Sequence, residues 1–271
     1  EPIAKTENPK KVMVIGGGVA GLCAAFIAKE KGHEVTLYEA GDVLGGNMRL
    51  AAYPPGKGDI TNMIRSYIHR CQKDGVKIVM NCEVTPELIK EEKPDSVIIA
   101  TGSKTLILPI EGIDNPAIIH GSDLLDGKRA AGKKVLVVGG GMVGCETAAF
   151  LGEQEHDVTV IEFRDTVGAD VIHEHRVYLM KDFEDYGIKE ITGAKVCKFY
   201  EDGVEYETAD GVRHESRGYD SVILSMGFRN YNPLEEKIKD LVPETHVIGD
   251  AIRARRALDA TKEAYEVASR L

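Results

Sequence analysis

Residues 10–26 read KKVMVIGGGVAGLCAAF and residues 133–149 read KKVLVVGGGMVGCETAA. Each stretch opens on a short apolar run of strand character, crosses a glycine cluster and continues into small residues at helical spacing. The pattern predicts strands at 12–15 and 135–138, helices at about 19–31 and 142–154, and second strands at 34–38 and 157–161. A further helix is expected at 58–74, where Met63, Ile64, Tyr67, Ile68 and Cys71 share one helical face. Its counterpart is expected at about 169–186, and both stop at Asp-Gly or Tyr-Gly. Short alternating runs broken by EDG (201–203) and ADG (209–211) then predict a β-meander. The tail reads as a short strand at 246–248, a Gly-Asp step and a helix.

The chain repeats itself. Aligning 10–42 with 133–165, without gaps, gives fifteen identities in thirty-three positions. They include Gly16, Gly17, Gly18 and Gly21 against Gly139, Gly140, Gly141 and Gly144, and Glu39 against Glu162. DSVIIATG at 95–102 is echoed by DSVILSMG at 220–227. The repeat therefore covers a whole domain. Strands alternating with helices imply an α/β fold: two Rossmann-like, three-layer dinucleotide-binding domains, each on a parallel doubly wound sheet.

A single Gly-x-Gly-x-x-Gly is a weak signal, but here each copy follows a strand and opens a helix. The first glycine permits the tight turn, the second lets a pyrophosphate approach the backbone, and the third lets helix and strand lie close. The helix N-terminus offers free N–H groups and partial positive charge to phosphates. Each glutamate stands 18 residues past the last glycine, where an acid accepts ribose hydroxyls. The contexts then separate the two sites. After Glu39 comes a second glycine turn (Gly45, Gly46), ATG (100–102) ends a strand, and Asp250 ends another. A long ligand such as FAD has use for all three, whereas NAD needs only the loop and Glu162. Glu162 would repel the 2′-phosphate of NADPH, which favours NADH; Arg164 is the one residue nearby that would support NADPH.

Composition narrows the function further. A net charge of −10 opposes nucleic-acid and anionic-membrane partners. Five cysteines, none in a Cys-x-x-Cys pair, argue against a disulfide framework, a zinc site or an iron–sulfur cluster within the chain, and fit a reducing, cytoplasmic setting. Val12–Ala28 is uncharged, but its four glycines and strand-to-helix switch read as a nucleotide loop rather than a membrane span. The polar segment EPIAKTENP reads as a linker, with something joined upstream of Glu1. His173 and His175 sit at i and i+2 and face different ways on a helix, so they read as surface residues rather than metal ligands. Cys145 reads as packing and the RARR run (253–256) as a solvated helix start. No metal site and no catalytic acid, base or nucleophile is expected.

The chain from Lys10 onward resembles the two-dinucleotide flavoproteins of the pyridine-nucleotide disulfide oxidoreductase type. Within them, VIGGGVAGLCAA, GHEVTLYEAGDVLGGNMRLAAYPPGKGDI, KKVLVVGGGMVGCETAAFL and VIGDAIRARRALDATKEAYEVA are most similar to the C-terminal half of Old-yellow-enzyme-type iron–sulfur flavoenzymes. That group includes 2-enoate reductase, 2,4-dienoyl-CoA reductase and trimethylamine dehydrogenase. The resemblance implies FAD in the first fingerprint and NAD(P)H in the second. It places Gly16, Gly18, Val19 and Ala20 on the FAD pyrophosphate and Glu39 on the adenosine ribose. Gly46, Asn47 and Arg49 fall on the flavin side, and Val84 meets the adenine through its backbone. Thr101 and Gly102 pass beneath the cofactor, and Asp250 reaches the ribityl chain. The helix after RRALDA is to aim its positive end at the flavin. In the second fingerprint Gly139, Gly141, Met142 and Val143 fall on the NAD pyrophosphate and Glu162 on the ribose.

The resemblance also implies a division into a linker (1–9), an FAD-binding domain in two parts (10–108 and 231–271) and an NAD(H)-binding domain (109–230) inserted between them. There is no room for the FMN-bearing barrel of those enzymes, nor cysteines for their iron–sulfur cluster, so both belong to an upstream region that would accept the electrons. The expected function is a reductase module that passes hydride from NADH to FAD and electrons onward. Two alternatives stay open: a stand-alone NADH oxidase or ferredoxin-type reductase, and a non-catalytic domain holding ADP in the first site.

Overall fold

The computed structural model describes residues 3–271; Glu1 and Pro2, the start of the expected linker, lie outside the described residues. The rest of that segment has no regular structure, yet it is held. Thr6 N–H donates to the Lys31 carbonyl at 2.8 Å, and Ile3 packs on the core. The chain divides into two compact units. Among the described residues the first comprises 3–52, 58–104 and 228–271; the second comprises 53–57 and 105–227.

In the first unit the chain runs β1 (Lys11–Ile15), α1 (Val19–Glu30), β2 (Glu34–Tyr38), α2 (Asn47–Leu50), α3 (Asp59–Lys73), β3 (Lys77–Val79), α4 (Pro86–Glu92), β4 (Ser96–Ile99) and into β5 (Ser103–Thr105). It returns with β14 (Phe228–Asn230), α8 (Glu235–Ile238), β15 (Glu244–Val247), a 3-10 turn at Gly249–Ala251 and α9 (Ala257–Ala268). Five of these strands form a parallel sheet in the order β15-β4-β1-β2-β3, and β5 pairs with β14. Alternation within β1 builds both layers. Val12 and Val14 pack under α1, α3 and α9, while Met13 and Ile15 face Ile89 of α4 and Ile238 of α8. Both faces are covered, which is why these strands read as continuous apolar runs.

The second unit repeats the plan. It contains β6 (Ile119–His120), α5 (Gly121–Leu125), β7 (Lys134–Val138), α6 (Met142–Glu153), β8 (Asp157–Ile161), α7 (His173–Asp185), β9 (Lys189–Ile191), β10 (Lys195–Tyr200), β11 (Gly203–Glu207), β12 (Arg213–Ser216) and β13 (Ser221–Leu224). Its parallel sheet has the order β6-β13-β7-β8-β9. Val135 and Val137 pack beneath α6 and α7, and Leu136 and Val138 pack against the antiparallel β10-β11-β12 meander. Val12 pairs with Val35 and Val135 with Val158, so the repeat holds in strand register as well as in sequence.

Two helix starts differ from expectation. α7 begins at His173 rather than near 169, because the preceding residues form a turn in which Gly168 N–H reaches the Gly140 carbonyl. α9 begins at Ala257, inside the RRALDA run, with Arg256 as its N-cap. The uncharged stretch Val12–Ala28 is broken between β1 and α1. Among the described residues no helix is long and apolar enough to cross a membrane.

Candidate functional site: two dinucleotide cradles

The first cradle lies at the C-terminal ends of β1, β4 and β15, where loops of a doubly wound sheet leave a crevice. Gly16 takes φ +108°, and a Cβ there would stand 2.3 Å from the Ala100 carbonyl oxygen. A Cβ on Gly21 would lie 1.9 Å from the Gly16 oxygen, so glycine is what lets α1 start this close to β1. Gly18 is different. It has φ −72°, and nothing lies within 4 Å of where its Cβ would be. That open space at the start of α1, in front of the half-buried Ala20 and the buried Val19, suits an approaching phosphate.

Glu39 is engaged with the backbone of the cradle itself. Its carboxylate accepts from Gly17 N–H at 2.6 Å and from Gly41 N–H at 2.8 Å, tying the glycine loop to the end of β2. Cys82 N–H donates to the Glu39 carbonyl at 2.9 Å, so the 81–84 segment runs alongside. The Val84 side chain is buried in the core. Gly46, at φ +55°, comes so close that its Cβ would be 3.1 Å from Gly18 Cα. Asn47 Nδ2 donates to Ser103 Oγ at 3.1 Å, and Ser103 Oγ donates to Asp250 Oδ2 at 3.0 Å. Asn47 and Asp250 are thus joined through Ser103, which the sequence did not single out. Arg49 is half-buried on α2, Thr101 Oγ1 donates to the Tyr231 carbonyl at 2.5 Å, and the Gly102 carbonyl accepts from Tyr231 N–H at 3.0 Å.

The second cradle reproduces these contacts. Gly139 has φ +105° and abuts the Ser225 carbonyl; Gly144 packs on the Gly139 oxygen. Glu162 accepts from Gly140 N–H at 2.6 Å and Arg164 N–H at 2.9 Å. Gly141, Met142 and Val143 form the start of α6 and face a cleft of about 600 Å³, which Leu108, Ile110, Phe163, Val196 and Met226 also line. One feature is new: Asp170 Oδ1 accepts from Met142 N–H at 2.9 Å.

Two further groups lie in the second unit. Glu146, on α6, is 5 % exposed; it forms an ion pair with Lys57, and its Oε1 lies 3.3 Å from His175 Nε2, within hydrogen-bond reach. His175 is therefore engaged with a carboxylate rather than simply facing solvent. Cys145 is fully buried, its thiol donates to the Gly140 carbonyl at 3.2 Å, and burial pushes its pKa up to about 12. A thiol held that firmly in its neutral form packs rather than reacts. The described residues contain five free cysteines and no group of three His, Cys, Asp or Glu side chains able to hold a metal ion. Asp170, Ser103 and the Glu146 cluster belong to no motif that the sequence shows. Glu146 alone carries a signal, as an acid within the first turns of a helix that is otherwise largely buried.

Two glycine cradles, each backed by an acid and each opening a helix on its own doubly wound sheet, define an oxidoreductase fold built for two dinucleotides. The family model described as pyridine nucleotide-disulphide oxidoreductase matches residues 10–248, and the chain belongs to that family, whose members bind FAD and NAD(P)H. The bilirubin reductase of Mediterraneibacter gnavus is 34 % identical over 98 % of this chain and 42 % of its own length. The cinnamate reductase of Clostridium sporogenes is 33 % identical over 99 % of this chain and 40 % of its own. A solved 2-naphthoyl-CoA reductase complex superimposes with a TM-score of 0.94 at 32 % identity, covering 99 % of this chain and 41 % of that one. The chain thus spans about two-fifths of the length of these relatives. The resemblance drawn from the motifs, to the dinucleotide-binding part of enoate-reductase-like enzymes, agrees with these matches.

Proposed function

We propose that the chain is an NADH-oxidising reductase module: FAD occupies the first cradle, NADH the second, and electrons leave for an iron–sulfur and FMN-bearing region outside the described chain. The observation that carries this reading is the pair of complete cradles in a chain whose described cysteines are all free, with Cys23, Cys71 and Cys145 buried. Family members that reduce disulfides need a reactive thiol pair, and here Cys145, within the second fingerprint, is held neutral by burial. When bound, the two cofactors supply the hydride transfer, so no protein nucleophile is required. The protein's part is to hold phosphates on the starts of α1 and α6, riboses on Glu39 and Glu162, and the ribityl chain near the Asn47–Ser103–Asp250 line. The carboxylate of Glu162 favours NADH over NADPH because it would face a 2′-phosphate as a like charge.

The three relatives are named for reducing cinnamate, bilirubin and 2-naphthoyl-CoA, all conjugated molecules. By that likeness the final acceptor of the whole enzyme is an activated C=C bond. Anaerobic titration tests the module. The purified chain should be yellow, and NADH should bleach it at lower concentration than NADPH. A colourless protein carrying ADP, or a yellow one that NADH leaves unchanged, overturns the reading. Enoate reduction by this chain alone would overturn the external acceptor.

A further inference from the structure

The two cradles differ at one position that the internal repeat makes easy to find. Gly45 N–H donates to the Gly17 carbonyl at 2.8 Å, and Gly168 N–H donates to the Gly140 carbonyl at 2.7 Å. Gly45 and Gly168 are therefore structural equivalents. Two residues further on, the first copy has Asn47 and the second has Asp170. Asn47 is neutral and hydrogen-bonds Ser103. Asp170 is charged and lies on the cradle itself. Its Oδ1 accepts from Met142 N–H at 2.9 Å, and its Oδ2 would stand 3.3 Å from a Cβ on Gly141. At Gly18, the equivalent place in the first copy, nothing lies within 4 Å.

We propose that Asp170 is a resident anion in the phosphate seat of the second cradle, which a dinucleotide displaces on binding, and that it sets both the affinity and the charge selectivity of that site. The proposal rests on the reading that this cradle takes NADH. The N-terminus of α6 attracts one anion to its free N–H groups, and the carboxylate already supplies it. A pyrophosphate that uses Met142 N–H must take it from Asp170.

The exchange needs no loop movement. Val167 and Val171 flank the segment and are buried in the core, and Gly168 is bonded to Gly140. Arg176 holds the Val167 carbonyl and Thr166 Oγ1. Asp170 itself is exposed, so rotation of one side chain frees the amide. Glu162, Arg164 and Lys195 are the other charged groups lining the cleft, and Glu162 is already engaged with Gly140 and Arg164 N–H. After rotation the Asp170 carboxylate is still tethered beside the seat. It repels a terminal phosphate monoester, as in ADP, more than the two singly charged phosphodiesters of NADH. The site thereby favours dinucleotides over free nucleoside polyphosphates.

The duplication supplies the test, since Asp170→Asn installs the residue type of the first copy. Calorimetric titration of the full chain at low ionic strength should give an NADH dissociation constant about three- to tenfold lower in D170N than in the wild type. The gain should be larger for ADP, should shrink as salt is added, and should appear also in D170A. NADH binding that is equal or weaker in both variants overturns the proposal while leaving the NADH reading intact. A wild-type chain and D170N that both fail to bind NADH, with Glu162→Ala as the matching control, overturn the reading and the proposal together.

Discussion

Lys57 and Glu146 form an ion pair whose carboxylate is almost wholly buried, although the two residues stand 89 positions apart in the chain. The pair fastens the Tyr53–Lys57 loop, with its rigid Pro54-Pro55, into the second unit. Lys57→Ala would leave Glu146 with His175 alone. Removing one partner of a buried pair costs about 3 kcal/mol. Denaturant unfolding should show a loss of that order for K57A, and adding Glu146→Gln to it should restore part of the loss. Equal stability of K57A and the wild type would contradict this.

Gly18 and Gly21 lie in one fingerprint but answer to different constraints. Gly21→Ala would press a methyl to 1.9 Å from the Gly16 oxygen, so it should destabilise the first unit by about 1–3 kcal/mol. Gly18→Ala meets no atom of the protein, at an ordinary backbone conformation. It should fold normally and lose flavin, with a dissociation constant raised about tenfold. Melting curves and flavin content of the two purified variants separate the cases; a stable, flavin-retaining G21A would refute the packing argument.

His33 makes the first unit sensitive to acid. The ring is 1 % exposed, and its Nδ1 accepts from Lys10 N–H. Its pKa lies below the ordinary 6.5, first because burial disfavours the cation, then through repulsion by Lys10 and Lys31, with Glu244 opposing. The neutral ring is therefore the native form, and the unfolded chain binds the proton more readily. The contribution of this group is fully present above pH 6.5 and is lost as pH falls through the folded value. Stability measured from pH 7.5 to 5 should fall toward the acid end, and His33→Gln should flatten that slope. A parallel slope in the variant would assign the acid sensitivity to other groups.

The cysteines should separate into two classes. Burial raises the pKa of Cys23 to about 11 and those of Cys71 and Cys145 to about 12. Cys82 and Cys197 are half-exposed. Thiol labelling of the native chain at pH 8 should modify only the latter two, and Cys145→Ala should keep NADH-dependent bleaching. Rapid labelling of Cys145, or loss of bleaching in C145A, would restore a thiol role that its surroundings argue against.

Much of the fold was legible because backbone geometry dictates residue type. Gly16 and Gly139 sit where a Cβ would strike a carbonyl, so the loops cannot drift in sequence without losing the turn. Val12 through Ile15 must be apolar on both faces because helices cover one and a second layer covers the other. What sequence left hidden are partnerships across long separations. Ser103 links Asn47 and Asp250 over 56 and 147 residues. His175 looked like a solvated helix residue until folding set it against Glu146. The start of α7 is hidden for a related reason: residues with helical character before His173 are used to bring Gly168 and Asp170 onto the glycine loop.

Glu39 and Glu162 each clamp one amide of the glycine loop and one of the turn after their own strand, so neither cradle depends on a ligand for its shape. The ordering entropy of these loops is settled during folding rather than at each encounter. Dinucleotide capture should then be governed by diffusion, orientation and the release of one carboxylate, not by a slow closing step. Entry of the nicotinamide dinucleotide is then not the step that sets the pace of such a protein.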